Sequence, residues 1–400
     1  MPGKPANFSA LSFRIISHTV LSNLVMWGIV AGSLGKRGKA GLVACLLGLC
    51  LLLSGCQPEP PEPAPSPSPG TPSSSSAPSP RPSPGTPSGS GPPPGEAVHF
   101  TAQGDIGVST GAKKVLDVVA GLNPQLNLAL GDLTYKAGIE QQFCDMVTSR
   151  LGADFPYQLV TGNHESDGSE GDIEKFVQCL PNRLPGLQGE YGVQWRVDVP
   201  EQNPVVRFIL VSPGIDFRDG EPLDYSRGSE RWRWTADAID EAKSQNIPWT
   251  VVGMHTPCLS VGNYDCQAGQ EFTNMLIEKN VDLVLSGHDH IYQRTHQLAQ
   301  GGGCAELVPA SFTAGCLADT DGSMAQGSGT VFATVGVGGV GLYNVKSDDP
   351  EMHYFASTSG KNQNPALGTL DVRATADELA ARFVPAEGYT FSDSFTLRRR

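Results

Sequence analysis

The chain has 400 residues, with 41 Asp and Glu against 28 Lys and Arg, and a formal net charge of −13 at pH 7. The charge is uneven, because residues 1–56 hold five basic and no acidic side chains while residues 57–400 hold 23 basic and 41 acidic ones. An acidic surface repels phosphate backbones, which argues against nucleic-acid binding driven by counterion release. We therefore expect a small-molecule partner and no bound nucleic acid.

Residues 1–56 are typical of an export signal. The apolar run 41–53 follows the basic segment 36–39 and precedes small residues, a combination that favours a signal peptide over a membrane span. The run ends in Leu53-Ser-Gly-Cys56, which resembles a bacterial lipobox and implies cleavage before Cys56 and lipidation of its thiol. We predict a lipid-anchored, extracytoplasmic protein of the cell envelope. An ordinary secretion signal and a short anchor helix are the alternatives.

Residues 57–97 are predicted to form a linker. They are almost wholly Pro, Ser, Gly and Thr. Such a sequence cannot bury enough apolar surface to offset its ordering entropy, and its prolines keep it extended. A ligand for proline-recognition modules is the alternative. The remaining segment, residues 98–400, is predicted to be one folded domain.

The predicted elements of this domain alternate between strands and helices. Strands are expected at 98–102 and 205–211, and helices at 113–122, 138–151, 172–179, 228–245 and 268–279. After an irregular stretch from about 294 to 328, strands at 329–335, 368–372, 378–384 and 394–397 are expected to complete a second sheet. The glycine-rich segment 335–341 does not open a helix, so a nucleotide loop is rejected. This order predicts a layered α/β sandwich.

Five apolar strands end in side chains that can bind a metal or transfer a proton. In chain order these are Asp105, Asp132 with Tyr135 three residues on, Asn163 with His164, His255, and His288 with His290. Because catalytic groups in open α/β sheets gather at the carboxyl ends of the strands, we expect these side chains to form one site. A single Asp in such a place is normally a turn former. The repetition indicates a metal site instead, since imidazole and carboxylate are common metal ligands.

With these residues in order, the sequence resembles the calcineurin-like metallophosphoesterases, and within them the purple acid phosphatases. The family's blocks appear here as GDIG, GDLTY, GNHE, the His255 block and GHDH. Two positions favour the purple branch: Gly107 stands where most relatives carry a histidine, and Tyr135 stands at the position of an iron ligand. The resemblance covers roughly residues 98–400 and implies a four-layer α/β/β/α sandwich with mixed sheets.

The resemblance also implies a role for each side chain. Asp105, Tyr135 and His290 would bind iron(III). Asn163, His255 and His288 would bind a divalent iron, zinc or manganese ion, and Asp132 would bridge the two ions. His164 would bind no metal and would act as proton donor or oxyanion stabiliser. A metal pair supplies hydroxide for in-line attack on a phosphoester, so the implied activity is that of a monomeric phosphomonoesterase acting on a small substrate.

One departure from the family keeps alternatives open. Purple acid phosphatases usually carry another histidine shortly after the His255 position, and residues 256–269 contain none. Tyr264 is the nearest polar aromatic group. This weakens the case for doubly charged monoesters and leaves a phosphodiesterase or nucleotidase of the same fold open. A non-catalytic envelope binding protein on this scaffold is the other alternative, which the loss of a ligand would favour, and none of the seven is missing.

The cysteines indicate disulfides. Six of the nine lie downstream of the leader and form no CxxC or zinc-ribbon spacing. In an exported chain, such cysteines favour disulfide bonds over a metal site. We predict sequential pairing, Cys144–Cys179, Cys258–Cys266 and Cys304–Cys316, among the many pairings that six cysteines allow.

Overall fold

The computed structural model describes residues 97–218 and 222–400. The predicted export signal and all but the last residue of the predicted linker lie outside these residues, so both stay predictions, as does lipidation of Cys56. Within the described ranges, no helix is long and apolar enough to cross a membrane.

The elements follow one another as strands and helices of ordinary length. The strands are β1 (Val98–Gln103), β2 (Leu126–Leu130), β3 (Tyr157–Val160), β4 (Gln188–Glu190), β5 (Gln194–Val199), β6 (Val206–Leu210), β7 (Trp249–Gly253), β8 (Leu283–Ser286), β9 (Tyr292–Thr295), β10 (Gln297–Leu298), β11 (Leu317–Asp319), β12 (Ser323–Ala325), β13 (Val331–Val335), β14 (Phe355–Ser359), β15 (Gly368–Ala374), β16 (Glu378–Pro385) and β17 (Ser394–Arg398). The α-helices are α1 (Thr110–Leu122), α2 (Glu140–Leu151), α3 (Ile173–Cys179), α4 (Glu230–Ser244) and α5 (Gln270–Glu278).

Most of these strands belong to two large mixed sheets. The first has the order β12-β17-β16-β15-β1-β2-β3, and the second has the order β14-β9-β13-β8-β7-β6-β5-β4. The strands β1, β2 and β3 run parallel in the first sheet, as do β6, β7, β8 and β13 in the second. These parallel strands are buried along almost their whole length, as expected for strands that are covered on both faces.

The two sheets pack face to face, and each carries helices on its outer side. Between the sheets, the ring of Phe100 on β1 meets that of Phe208 on β6 edge to face, with centroids 4.9 Å apart. Residues of α1, α2 and α3 cover the outer face of the first sheet, and residues of α4 and α5 cover that of the second. The predicted α/β/β/α sandwich is confirmed.

The C-terminal strands divide between the sheets, contrary to the prediction that they complete a second one. β13 does pair with β8, but β15, β16 and β17 extend the first sheet from the free edge of β1. β15 runs antiparallel to β1, with Val98 opposite Ala374 and Ala102 opposite Leu370. This register places Leu370 in the core between the sheets. The pairing of β15 with β1 is thus decided by packing between residues that are distant in the sequence.

Capping side chains account for the starts of α1, α3 and α4. Helix α1 begins one turn earlier than predicted, because the Ser109 hydroxyl accepts a hydrogen bond of 2.9 Å from the Ala112 amide and caps the helix. Ser229 caps α4 in the same way. The three disulfides pair Cys144 with Cys179, Cys258 with Cys266 and Cys304 with Cys316, as predicted.

Candidate metal centre

The predicted site residues come together where the two sheets meet. Three of the contributing strands, β1, β2 and β3, belong to the first sheet, and β7 and β8 belong to the second. The side chains that follow them are no more than 8% exposed in five cases, which are Asp105, Asp132, His255, His288 and His290. Tyr135 and His164 are half-buried and Asn163 is exposed. Most of the cluster is therefore buried inside the protein, and the side that carries Asn163 is open to solvent.

Three of these residues have an unusual backbone conformation. Asp105, Asp132 and His288 have φ angles of 60°, 53° and 68°, in the left-handed region that side chains other than glycine seldom adopt. Such conformations persist where the surrounding structure enforces them, and they cluster at functional sites. Here they turn each side chain back towards the cluster directly after its strand.

Glycine precedes several ligand positions because the strand ends approach one another closely. A Cβ on Gly162 would lie 2.2 Å from Asp132 Oδ1, and one on Gly287 would lie 2.6 Å from Asp105 Oδ2. Both distances are too short for non-bonded atoms. The repeated glycine in the GD, GN and GH motifs is thus a packing requirement of the site itself.

The buried side chains form two groups of three that share Asp132. One group is Asp132, His255 and His288, and the other is Asp105, Asp132 and His290. In each group the atoms that could bind a metal lie within 4.8 Å of one another. A carboxylate common to two such groups is the arrangement that a pair of ions about 3.5–4 Å apart requires.

Tyr135 completes the group around Asp105. The hydroxyl of Tyr135 lies 3.3 Å from Asp105 Oδ1 and 3.3 Å from His290 Nε2. The same two atoms of Asp105 and His290 are 3.3 Å apart. One phenol, one carboxylate and one imidazole therefore surround a single point.

Asn163 completes the group around His255. The Nε2 atom of His255 lies 3.2 Å from Asp132 Oδ1, 3.1 Å from Asn163 Oδ1 and 3.2 Å from His288 Nδ1. Only one hydrogen can sit on Nε2, so hydrogen bonding cannot satisfy all three neighbours. A cation would satisfy them together.

Backbone carbonyls fix the orientation of two of the imidazoles. The Nδ1 atoms of His255 and His290 donate to the carbonyls of Leu130, at 2.7 Å, and Gly341, at 2.9 Å. Because a carbonyl only accepts, each Nδ1 must carry the hydrogen, and each Nε2 is left facing the cluster. In addition, His288 Nε2 is buried and has no hydrogen-bond partner among the described residues. The donor set fits two metal ions.

The side chains of the cluster are arranged so that the Asp132 carboxylate favours positive charge beside it. Burial acts to raise the pKa of Asp132, but the charge and hydrogen bond of His255 outweigh it and hold the pKa at about 2. Burial likewise opposes charge on His255, but the Asp132 carboxylate raises its pKa to about 10. Burial and the charge of His255 lower the pKa of His288 to about 3. The raised pKa of His255 therefore keeps a proton on its imidazole, which a cation at Nε2 would displace.

This proton gives an expected pH dependence of metal binding. Because the raised pKa keeps His255 protonated below about pH 10, a metal that binds Nε2 must displace one proton at every lower pH. We expect one proton to be released from this group on loading with a divalent ion, and affinity to rise about tenfold per pH unit around neutrality. Calorimetry in two buffers of different ionisation enthalpy measures the release. Loading without release would contradict coordination by His255.

His164 lies beside the cluster and belongs to neither group. Its Nε2 atom is 3.6 Å from Asp132 Oδ2, and its Nδ1 atom lies next to the carboxylate of Glu170. Its ring packs against that of Tyr135 with centroids 4.3 Å apart. His164 is half-buried at the open side of the site.

Sequence reasoning missed two buried carboxylates that hold the site together. Glu165 accepts hydrogen bonds from the amides of Gly162, Asp132 and Leu133, at 2.6, 3.0 and 3.1 Å, and so joins the turns after β2 and β3. Asp289 accepts from the Ser260 hydroxyl at 2.5 Å and from the Asn263 amide at 2.6 Å. Glu165 lies within the GNHE motif and Asp289 lies within the GHDH motif. Their position inside these motifs is the sequence signal that could have identified them.

The fold and this geometry define a class of protein. Residues 98–292 match the family model of the calcineurin-like phosphoesterases. The chain therefore carries a calcineurin-like metallophosphoesterase domain, as the sequence motifs predicted.

Several relatives within that class are purple acid phosphatases. Purple acid phosphatase 18 of Arabidopsis thaliana is 24% identical over 52% of this chain and 47% of its own length. Probable purple acid phosphatase 20 of the same plant is 26% identical over 52% of this chain and 49% of its own length. The chain thus spans about half the length of these curated relatives. Purple acid phosphatase PPD1 from yellow lupin (Lupinus luteus) shares the fold, with a TM-score of 0.57, 17% identity, and coverage of 77% of this chain and 55% of that one.

Proposed function

We propose that the chain is a metal-dependent phosphoester hydrolase of the purple acid phosphatase type, which acts on small phosphomonoesters outside the cytoplasm. The observation that carries the proposal is the position of Asp132 in both groups of potential ligands. The extracytoplasmic location rests on the predicted export signal and on three disulfides in the folded domain, because disulfides persist in oxidising compartments.

The contacts support a division of the ligands between two ions. Asp105, Tyr135 and His290, whose potential ligand atoms are mutually 3.3 Å apart, would hold iron(III). Asn163, His255 and His288 would hold a divalent iron, zinc or manganese ion, and Asp132 would serve both. When bound, such ions supply a nucleophile at ambient pH and neutralise charge on the phosphoryl group.

The residues that remain would position the substrate and manage its protons. His164 would hold a proton on Nε2 for the departing oxygen, with the Glu170 carboxylate orienting its ring through Nδ1. Glu165 would keep the turns that carry Asp132 and Asn163 in register through its three backbone contacts.

Tyr135 tests the assignment of iron. Burial, with Asp105 and Asp132 nearby, raises the pKa of the Tyr135 phenol well above its usual value, so only a strongly charged ion would make it a phenolate. With iron(III) bound, we expect a phenolate-to-metal charge-transfer band in the visible spectrum, and we expect Tyr135→Phe to abolish it. A colourless, fully active wild type that contains only divalent metals would overturn the iron assignment and leave the fold untouched.

The activity itself is tested with a panel of phosphomonoesters and phosphodiesters on the purified, metal-analysed protein. Faster hydrolysis of monoesters supports the proposal. A preference for diesters would assign the second candidate, a phosphodiesterase, which the absence of a second histidine in residues 256–269 favours. Tight phosphate binding without hydrolysis of any ester would indicate a binding protein and refute the proposal.

A further inference from the structure

We propose that Tyr264 and Tyr343 form an aromatic wall beside the metal centre that binds the organic group of the substrate and makes the site selective for aryl phosphates. This inference rests on the proposed function and names the substrate class of the same site. We refer to the two residues as the tyrosine wall.

Each tyrosine of the wall stacks on one histidine of the GHDH motif. The ring centroids of Tyr264 and His288 are 3.9 Å apart, with the planes 25° from parallel. Those of Tyr343 and His290 are 4.1 Å apart, with the planes 12° from parallel. The two tyrosine rings meet edge to face at 6.2 Å. The wall thus continues directly from two proposed ligands, one of each ion.

The wall is held in place by the segment that carries those ligands. The Tyr343 amide donates to the carbonyl of His290 at 2.9 Å. Tyr264 lies in the loop closed by the Cys258–Cys266 disulfide, and two residues of that loop, Ser260 and Asn263, donate to the buried carboxylate of Asp289. A wall fixed in this way loses little conformational freedom when a ligand binds, which favours affinity.

Substrate can reach the wall, because neither ring is fully buried. Both tyrosines are half-buried, and one face of each is covered by an imidazole. The surface that remains is aromatic and carries no formal charge. Such a surface suits a planar ring better than it suits a second anionic group, since aromatic rings attract one another through stacked or edge-to-face contacts.

The closeness of the wall to the ligands limits which substrates fit. A phosphoryl group held between His288 and His290 would place its ester substituent next to Tyr264 and Tyr343, since both rings touch those imidazoles. An aromatic ring bonded directly to the phosphoryl oxygen is therefore the group that the wall would meet. One aromatic contact corresponds to about two- to tenfold in affinity.

Binding of two matched phosphonates tests the wall without turnover. Phenylphosphonate and cyclohexylphosphonate have the same charge and similar size, and differ in aromaticity. We expect the metal-loaded wild type to bind phenylphosphonate about two- to tenfold more tightly by calorimetry. Tyr264→Leu and Tyr343→Leu should lose that preference, while Tyr264→Phe and Tyr343→Phe should keep it. Tyr389→Leu, which alters a half-buried tyrosine in the β16–β17 loop, is the matched control and should behave as wild type.

The outcomes separate this inference from the proposed function. Equal binding of both phosphonates by the wild type, or an unchanged preference in both leucine variants, would overturn the wall while phosphoester hydrolysis persists. Failure of the wild type to bind orthophosphate and to hydrolyse any ester would refute the function as well. If a leucine variant loses its metal, the tryptophan variant at the same position, Tyr264→Trp or Tyr343→Trp, is tested in its place. Phenylphosphonate, unlike cyclohexylphosphonate, must then change the fluorescence of the new indole, and no change overturns the wall.

Discussion

Replacing Asp132 by asparagine is expected to remove both metal ions and to reduce phosphoester hydrolysis to background. In the part of the chain that the structure describes, Asp132 is the residue that both groups of potential ligands share, so its loss should affect both ions. Asparagine is the informative substitute, because Asp132 has a φ of 53° and asparagine tolerates this left-handed conformation. The variant should therefore fold, and its loss of metal and of hydrolysis would result from the missing negative charge.

Elemental analysis and hydrolysis assays measure this effect together. Asp117→Asn is a matched control, since the Asp117 side chain is 64% exposed on α1 and pairs only with Arg150 at the surface. Exposed pairs of this kind contribute about 0–1 kcal/mol, and the control should keep its metals and its activity. Two metals per chain and normal turnover in Asp132→Asn would mean that another carboxylate bridges the ions.

Replacing His164 by alanine is expected to slow hydrolysis of alkyl phosphates about 10²–10⁴-fold, the usual contribution of a general acid. An alkoxide is a strong base and needs a proton as it departs. The p-nitrophenolate ion departs without one, so hydrolysis of p-nitrophenyl phosphate should suffer far less. Metal content should change little, because His164 lies outside both ligand groups.

The comparison of the two leaving groups distinguishes the possible roles of His164. An equal loss on both substrates, with the metals retained, would make His164 a stabiliser of the phosphoryl oxygens instead. Loss of a metal would make it a ligand. His164→Gln is a useful companion variant, because it keeps a hydrogen-bond donor and cannot transfer a proton. Retention of activity on alkyl phosphates in that variant would contradict general acid catalysis.

The candidate site could be predicted from the sequence because its information is local. Each proposed ligand follows an apolar strand within a few residues, and glycines such as Gly162 and Gly287 mark the points of closest approach. Parallel strands deliver such positions to one end of a sheet. The order of the motifs is therefore sufficient to predict that side chains far apart in the sequence lie close together in the fold.

The remainder depends on packing between distant segments. The sequence pattern of strand β15 is compatible with pairing in either sheet. Its partner is decided by the free edge of β1 and by the position of Leu370 in the core. The roles of the glycines in 335–341 were equally hidden. A Cβ on Gly336 would lie 2.0 Å from the Asp289 carbonyl oxygen, and one on Gly338 would lie 2.4 Å from that of Gly104. These contacts have no signature in the local sequence.

The tyrosine wall also depends on contacts between distant segments, which the local sequence does not indicate. The sequence marks Tyr264 only as the nearest polar aromatic residue in a segment without histidine, and no motif points to Tyr343. Their shared position follows from two separate tethers, the loop bound to Asp289 and the backbone contact with His290. Neither tether could be inferred from spacing along the chain.

We propose that hydrolysis depends on two metal ions held by the shared carboxylate of Asp132. The most direct measurement is a titration of the metal-free protein with metal while hydrolysis of a phosphomonoester is followed. We expect no activity without metal and full activity only as the second ion per chain binds. Hydrolysis by the metal-free protein, or full activity with one ion per chain, would contradict the claim.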